Sequence, residues 1–232
     1  MRFVSFVGKR LVTMLSKIPG VEVCFSEQIP DYLQIYEEKW GHARSRHLRR
    51  PVNGSGDPLP WFTYPAIEYI QQLDLSDRIV FEWGSGNSSL FFADRVKQIT
   101  SVESDRDWFE TISKEKKDNQ TLVHVEEGDS YPAYISKTKD LYDIIIIDGK
   151  LRANCAEEAI KHIKPDGLII LDNSDRHPDI SSRLREKDLI QVDMHGLGPV
   201  NNYTWTTTFF FRRSYGFRAK NIQPVIPLGG GF

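Results

Sequence analysis

Cysteine is scarce in this chain. Its 232 residues hold two, Cys24 and Cys155, too few and too far apart for a disulfide framework or a zinc-ligand spacing. A reducing cytosol is the compartment that such usage fits. An excess of one charge is lacking too, with thirty Lys and Arg against thirty-two Asp and Glu. Nothing global therefore draws the chain to nucleic acid or to an anionic membrane. The basic run "HARSRHLRR" does not reverse this, because no aromatic residue interleaves it and Glu37 and Glu38 precede it. It reads as a solvated helix end, and nucleic acid is not an expected partner.

Long apolar runs are missing as well. The first twenty residues, "MRFVSFVGKRLVTMLSKIPG", are too polar for a span of about 20 residues. Lys9 and Arg10 also interrupt the apolar core that a signal peptide needs. The stretch reads as an amphipathic helix ending near Pro19 and Gly20. Two uses stay open for it. It packs on the domain or on a partner subunit of a homo-oligomer, or it lies on a membrane surface and makes a cytoplasmic protein peripheral.

What is present describes a soluble globular chain, 40% hydrophobic and 27% charged. A second helical pattern over residues 31–50 gives way to the loop "PVNGSGDPLP", which marks the border of an extension. The expected division is a helical extension or lid over 1–60, a main domain over 61–214 and a C-terminal tail over 215–232, whose last stretch "IPLGGGF" reads as loose. After the short helix "WFTYPAIEYIQQL", strands and helices alternate. "RIVFEW", "QITSVES", "TLVHVEE", "YDIIIID" and "GLIILD" read as strands, with "SSLFFADRV", "DRDWFETISKEKK", "NCAEEAIKHI" and "PDISSRLRE" as helices. Continuous runs such as "IIIID" belong to a parallel sheet buried on both faces. The end, "LIQVDMHGLGPVNNYTWTTTFFFRR", has two strands and no helix between them. The expected fold is therefore α/β and Rossmann-like: a doubly wound, mostly parallel sheet of seven strands, closed by a C-terminal antiparallel hairpin.

The turn after the first strand, "VFEWGSGNSSLFF", lacks the third glycine of a dinucleotide fingerprint. Glu82 also sets a carboxylate where a pyrophosphate would lie. A cofactor with an ammonium, a positive sulfur and no phosphate suits these residues better. Glu82, Gly84 and Gly86 here resemble the first motif of the class I S-adenosylmethionine-dependent methyltransferases, an acidic residue followed by x-G-x-G. Ser88 stands where many members have a third glycine. The resemblance, which spans residues 61–212, implies S-adenosylmethionine as cofactor, held by the turn Gly84, Ser85, Gly86, Asn87 and Ser88. It implies that Glu103 in "SVESD" grips the ribose hydroxyls and that Asp129 in "EGDS" lies near the adenine amino group. Asp148 is a further candidate for the methionine end.

Candidates for the chemistry belong at the ends of the fourth and fifth strands. Asp148, Asp172 and Asn173 are similar to the metal triad of catechol-type O-methyltransferases, and two carboxylates with an amide oxygen suit magnesium or another hard divalent cation. Asp148, Lys150 and His177 are the catalytic candidates. Asp148 orients a substrate hydroxyl, a lysine near the first aspartate follows the family pattern, and His177 titrates near neutrality. Lys150 and Arg152 are also candidates to bind an anionic substrate, and a solvated surface is the competing reading for both and for His177. The cluster Trp61, Phe62 and Tyr64 serves as a cofactor cover, a sugar platform or core.

The expected function is methylation of a small-molecule or glycan-like acceptor, most simply on oxygen. The rivals are a methyltransferase-like domain that binds without catalysis and a nicotinamide-dependent oxidoreductase. Deleting residues 1–50 is expected to spare cofactor affinity and to lower turnover.

Overall fold

In the computed structural model the apolar runs become the middle of one seven-stranded sheet. It describes residues 33–138, 140–221 and 223–230. The strands are β1 (Ile79–Trp83), β2 (Gln98–Glu103), β3 (Gln120–His124), β4 (Tyr142–Ile147), β5 (Ile163–Leu171), β6 (Ile190–Gly196) and β7 (Trp205–Phe211). Their order is β3-β2-β1-β4-β5-β7-β6. The first five run parallel, and β7 lies antiparallel to both β5 and β6.

Helices cover both faces: α1 (His42–Leu48), α2 (Tyr64–Gln71), α3 (Asn87–Ala93), α4 (Arg106–Ser113), α5 (Ser130–Ala133), α6 (Ile135–Thr138), α7 (Arg152–His162) and α8 (Pro178–Glu186). Successive strand residues point to opposite faces, so the sheet feeds two cores. Val80, Ile144 and Ile170 pack with Ile67, Phe91 and Phe92 on one side. Phe81, Ile145 and Ile169 pack with Tyr131, Cys155 and Leu184 on the other. Each such fully buried side chain contributes roughly 1.5–3 kcal/mol of transfer energy. Polar Glu82 shares a face with Val80. The strand order reverses between β1 and β4, and in open α/β sheets the ligand crevice forms at such a switch point, beyond the carboxyl ends of the strands.

Four expectations change. The helical pattern over 31–50 is divided at Gly41: a π-helical turn, Ile35–Lys39, precedes it and α1 follows. Gly41 adopts φ +78°, and a Cβ there would lie 2.3 Å from the Asn53 carbonyl carbon. Strand β5 begins at Ile163, earlier than "GLIILD", and a register shift between Tyr142 and Ile144 absorbs the extra residues. Between β3 and β4 the chain makes α5 and α6, where no helix was expected. The C-terminal tail is fastened to the domain at several points, one of them, Leu228, in the stretch expected to be loose. Phe217 is buried under the Arg78 guanidinium, and the Lys220 and Leu228 amides donate to Gln72 and Glu68 around the end of α2.

The N-terminal amphipathic stretch and Cys24 lie outside the described residues. Among those described, no helix is long and apolar enough to cross a membrane.

Candidate functional site

The glycine turn is built around a buried acid. Glu82 is 0% exposed, and its Oε2 accepts hydrogen bonds from Ser89 Oγ at 2.5 Å and Ser101 Oγ at 2.8 Å. The Gly86 amide in turn donates to Ser89 Oγ at 3.1 Å, so one relay joins β1, β2 and the start of α3. Burial pushes the Glu82 carboxyl up to about 7; the charge of Asp148 adds to this, and serine hydroxyls oppose it. Its second oxygen, Oε1, is buried with no partner. Such an atom costs roughly 1–3 kcal/mol until something donates to it.

Gly84 makes the turn sterically possible. Its φ is +89°, and a Cβ would meet the Gly149 nitrogen at 2.9 Å and the Asp148 carbonyl at 3.0 Å. Ser85 is then pinned from two sides. Glu103 Oε2 accepts from its amide at 2.8 Å and its hydroxyl at 3.1 Å, while Trp108 Nε1 donates to its carbonyl at 2.7 Å. Glu103 Oε1 accepts from the Ser104 and Asp105 amides. The proposed ribose-binding acid thus already holds the turn, and among its donors only the Ser85 hydroxyl is a side chain that a ribose hydroxyl could replace. The Trp108 indole, 40% exposed, lies over Gly86.

Asn87 and Ser88 are buried at the start of α3. The Asn87 side chain faces the extension. Its Nδ2 donates to the Pro51 carbonyl at 2.5 Å, and its Oδ1 accepts from Arg50 Nε at 2.5 Å. Arg50 also pairs with both oxygens of Glu115 at 2.7 Å. Asp129 is exposed, immediately before α5.

At the ends of β4 and β5 a guanidinium takes the central place. Arg152 opens α7 and donates from Nε to the Gly149 carbonyl, from Nη1 to the Asp172 carbonyl, and from Nη2 to the Asp148 carbonyl and carboxylate. The Asp148 contact to Oδ1 is 2.9 Å, and its side chain stays 24% exposed. Burial raises the Asp148 carboxyl to about 6 against the pull of Arg152. Asp172 is buried, and its Oδ1 accepts from Trp205 Nε1 at 3.0 Å and Thr207 Oγ1 at 2.6 Å. Burial, then the charge of Asp148, holds its carboxyl well above the ordinary range. Thr207 Oγ1 also accepts from the Thr63 amide, tying in the chain before α2.

The expected metal triad does not fit this arrangement. Asp172 spends an oxygen on the β7 side chains of Trp205 and Thr207, and the Arg152 guanidinium already supplies a cation to Asp148. Among the described residues no group of three or more His, Cys, Asp and Glu is placed to hold a metal ion. Asn173 follows in a left-handed conformation, φ 50°, as the chain turns into a 3-10 turn at Ser174–Arg176. His177 is half-buried, and burial, then the charge of Arg152, lowers its pKa. Lys150 is exposed.

Of the aromatic cluster, Phe62 and Tyr64 are core and Trp61 is 40% exposed. Sequence reasoning missed Trp108, Thr207 and Arg50, whose roles come from contacts made far along the chain. Arg152, four residues after Asp148 and at the start of α7, was visible in the sequence, but its contacts to the two strand ends were not.

No family model matches the chain, and no curated protein matches it. Among solved structures it is similar to the precorrin-6y C5,15-methyltransferase of Geobacter metallireducens. The identity is 15% and the TM-score 0.52, over 66% of this chain and 91% of that one. A methyltransferase from Pyrococcus furiosus is 20% identical with a TM-score of 0.47, covering 81% of this chain and 99% of its own. The likeness to the Geobacter enzyme is one of fold, a Rossmann-like, mostly parallel seven-stranded sheet with helices on both faces.

Proposed function

We propose that the protein transfers a methyl group from S-adenosylmethionine to a hydroxyl oxygen of a small-molecule or glycan-like acceptor. One observation carries this reading. Glu82, Glu103, Asp148 and Asp172 stand at or just past the ends of four neighbouring strands, and Arg152 is the guanidinium bonded between the last two. Carboxyls that burial and one another's charge hold back from ionising, with the unpartnered Glu82 Oε1, suit a ligand carrying an ammonium and a sulfonium, whose positive charge favours their ionised form. They oppose a pyrophosphate, which removes support from a nicotinamide cofactor.

When bound, the cofactor would supply a methyl group on positive sulfur, to be taken up by an acceptor oxygen as the carbon–sulfur bond breaks and the neutral thioether leaves. The chain's own part is to bind, align and accept a proton. Gly84 and Gly86 let the backbone approach the ligand, and Glu82 and Glu103 fix the turn that carries them. Asp148 is partly exposed and makes no hydrogen bond through Oδ2 among the described residues; this oxygen takes the hydroxyl proton as the oxygen–carbon bond forms. Exposed Trp61 and Tyr203, on the segments that lead to Thr63 and to β7, whose Thr207 accepts from the Thr63 amide, offer ring faces to an acceptor with sugar-like C–H surfaces.

The test is turnover with methyl-labelled S-adenosylmethionine across pools of phenols, sugars and glycosides, reading S-adenosylhomocysteine and labelled ether together. Ether label in a product supports the reading. Absence of cofactor binding by calorimetry would sink it, and label on nitrogen or carbon would overturn the oxygen assignment.

A further inference from the structure

The four acceptors around Arg152 are all oxygens: the carbonyls of Asp148, Gly149 and Asp172, and the Asp148 carboxylate. They come from the ends of two adjacent parallel strands, and without the guanidinium they would be a hard-oxygen donor set of the kind magnesium and calcium take. Three carbonyls and a carboxylate that converge in this way repel one another unless something positive stands among them. We infer that Arg152 is a built-in replacement for a divalent cation, and that methyl transfer here is metal-independent because of it. The inference rests on the proposed methyl transfer for its functional half, whereas its structural half stands on the cation site alone.

Geometry gives the replacement a distinct character. A metal ion exchanges ligands, whereas a planar guanidinium has fixed N–H directions and cannot leave. Nη2 clasps the Asp148 carbonyl and Oδ1 together, which orients the carboxylate and leaves Oδ2 without a hydrogen bond among the described residues. Nη1 reaches across to Asp172, so the same side chain sets the spacing of the two strand ends. Arg152 is therefore a positioning residue that acts through Asp148. Lysine would keep the charge without the fork.

The experiment compares wild type, Arg152→Ala and Arg152→Lys by thermal unfolding in millimolar guanidinium chloride, magnesium chloride or sodium chloride. Guanidinium or magnesium should raise the unfolding temperature of the alanine variant relative to sodium, while neither should raise that of wild type. This readout needs no acceptor and no turnover, so it separates failure of the cation inference from failure of the proposed reaction. Where turnover is measurable, chelator should leave wild type unaffected. Arg152→Ala should lose roughly tenfold to a hundredfold in kcat, the worth of one or two charge-assisted hydrogen bonds. Guanidinium should restore part of it, with cofactor affinity little changed. If the alanine variant does not fold, Arg152→Lys serves with the same salts and should show partial loss of kcat with no gain from chelator or metal. Magnesium binding by wild type, loss of wild-type turnover in chelator, or an alanine variant indifferent to guanidinium and magnesium would each overturn the inference.

Discussion

Arg50 and Asn87 lie 37 positions apart, and Arg50 Nε meets Asn87 Oδ1 at 2.5 Å. With the Pro51 carbonyl on the amide nitrogen, the extension grips the first residue of the helix that follows the glycine turn. This bears on the expected separation of labour, in which the extension serves the acceptor and leaves the cofactor to the core. Arg50→Ala should weaken S-adenosylmethionine binding about threefold to tenfold, since it removes a bond to a partly buried amide and a surface ion pair of little worth. Deleting residues 1–50 should weaken it at least as much. Calorimetry giving unchanged affinity for both would return the extension to a role on the acceptor side.

Glu103 accepts from three backbone amides and one hydroxyl, so its replacement should act twice. Glu103→Ala leaves those amides without their acceptor and should lower cofactor affinity tenfold or more, at roughly 1.5–3 kcal/mol for each bond to a charged group. Glu103→Gln keeps one acceptor oxygen and should lose less. A folded Glu103→Ala protein with wild-type affinity would remove this residue from the cofactor site.

The two glycines of the turn should respond differently to alanine. Gly84→Ala forces a Cβ against the backbone of Asp148 and Gly149 at a positive φ, and should cost several kcal/mol of stability, since strain alone is of order 1–3 kcal/mol. At Gly86 a Cβ would meet Trp108 at 3.7 Å, an ordinary contact. Gly86→Ala should therefore fold with near-normal stability and fail at cofactor binding, where the backbone must approach closely. Urea unfolding and calorimetry on the pair check this. Equal stability of the two variants would contradict the account of the turn.

Glu82 makes stability depend on pH. Its carboxyl moves from an ordinary 4.5 to about 7 on folding, because burial disfavours the charged form. The folded state therefore holds the proton more tightly than the unfolded chain. That contribution is complete below about pH 4.5 and is lost as pH rises through about 7, an effect of about 3 kcal/mol. Glu82→Gln keeps an acceptor for the serine hydroxyls and cannot titrate. The difference in unfolding free energy between variant and wild type should grow in the variant's favour from about pH 5 to about pH 8. A constant difference across that window would place the Glu82 carboxyl at an ordinary value.

The parallel strands were legible because runs such as "IIIID" have few other uses, and the turn was legible because Glu82, Gly84 and Gly86 are local. The division at Gly41 was not, since it follows from the approach of the Asn53 carbonyl, a contact that periodicity does not encode. The early start of β5 was hidden by Pro165 and Asp166, which read as a loop until the register shift beside Tyr142 admits them to the sheet. At the site, an Asp and an Asp-Asn pair match a metal triad by spacing alone. Which way Asp172 faces is decided by Trp205 and Thr207, supplied by a hairpin more than thirty residues later.

The carboxylate under the glycine turn also polices how the chain is threaded. Glu82 lies opposite Ser101 in the β1–β2 pairing and bonds to it. A slip of β1 by one position would swing the acid to the side of Phe81 and Trp83, into an aromatic core. There it would lose the hydroxyls of Ser89 and Ser101 and stand desolvated, at roughly 1–3 kcal/mol or more. A run of interchangeable isoleucines in β4 carries no such index, so one awkward residue in β1 tells the neighbouring strands where zero is.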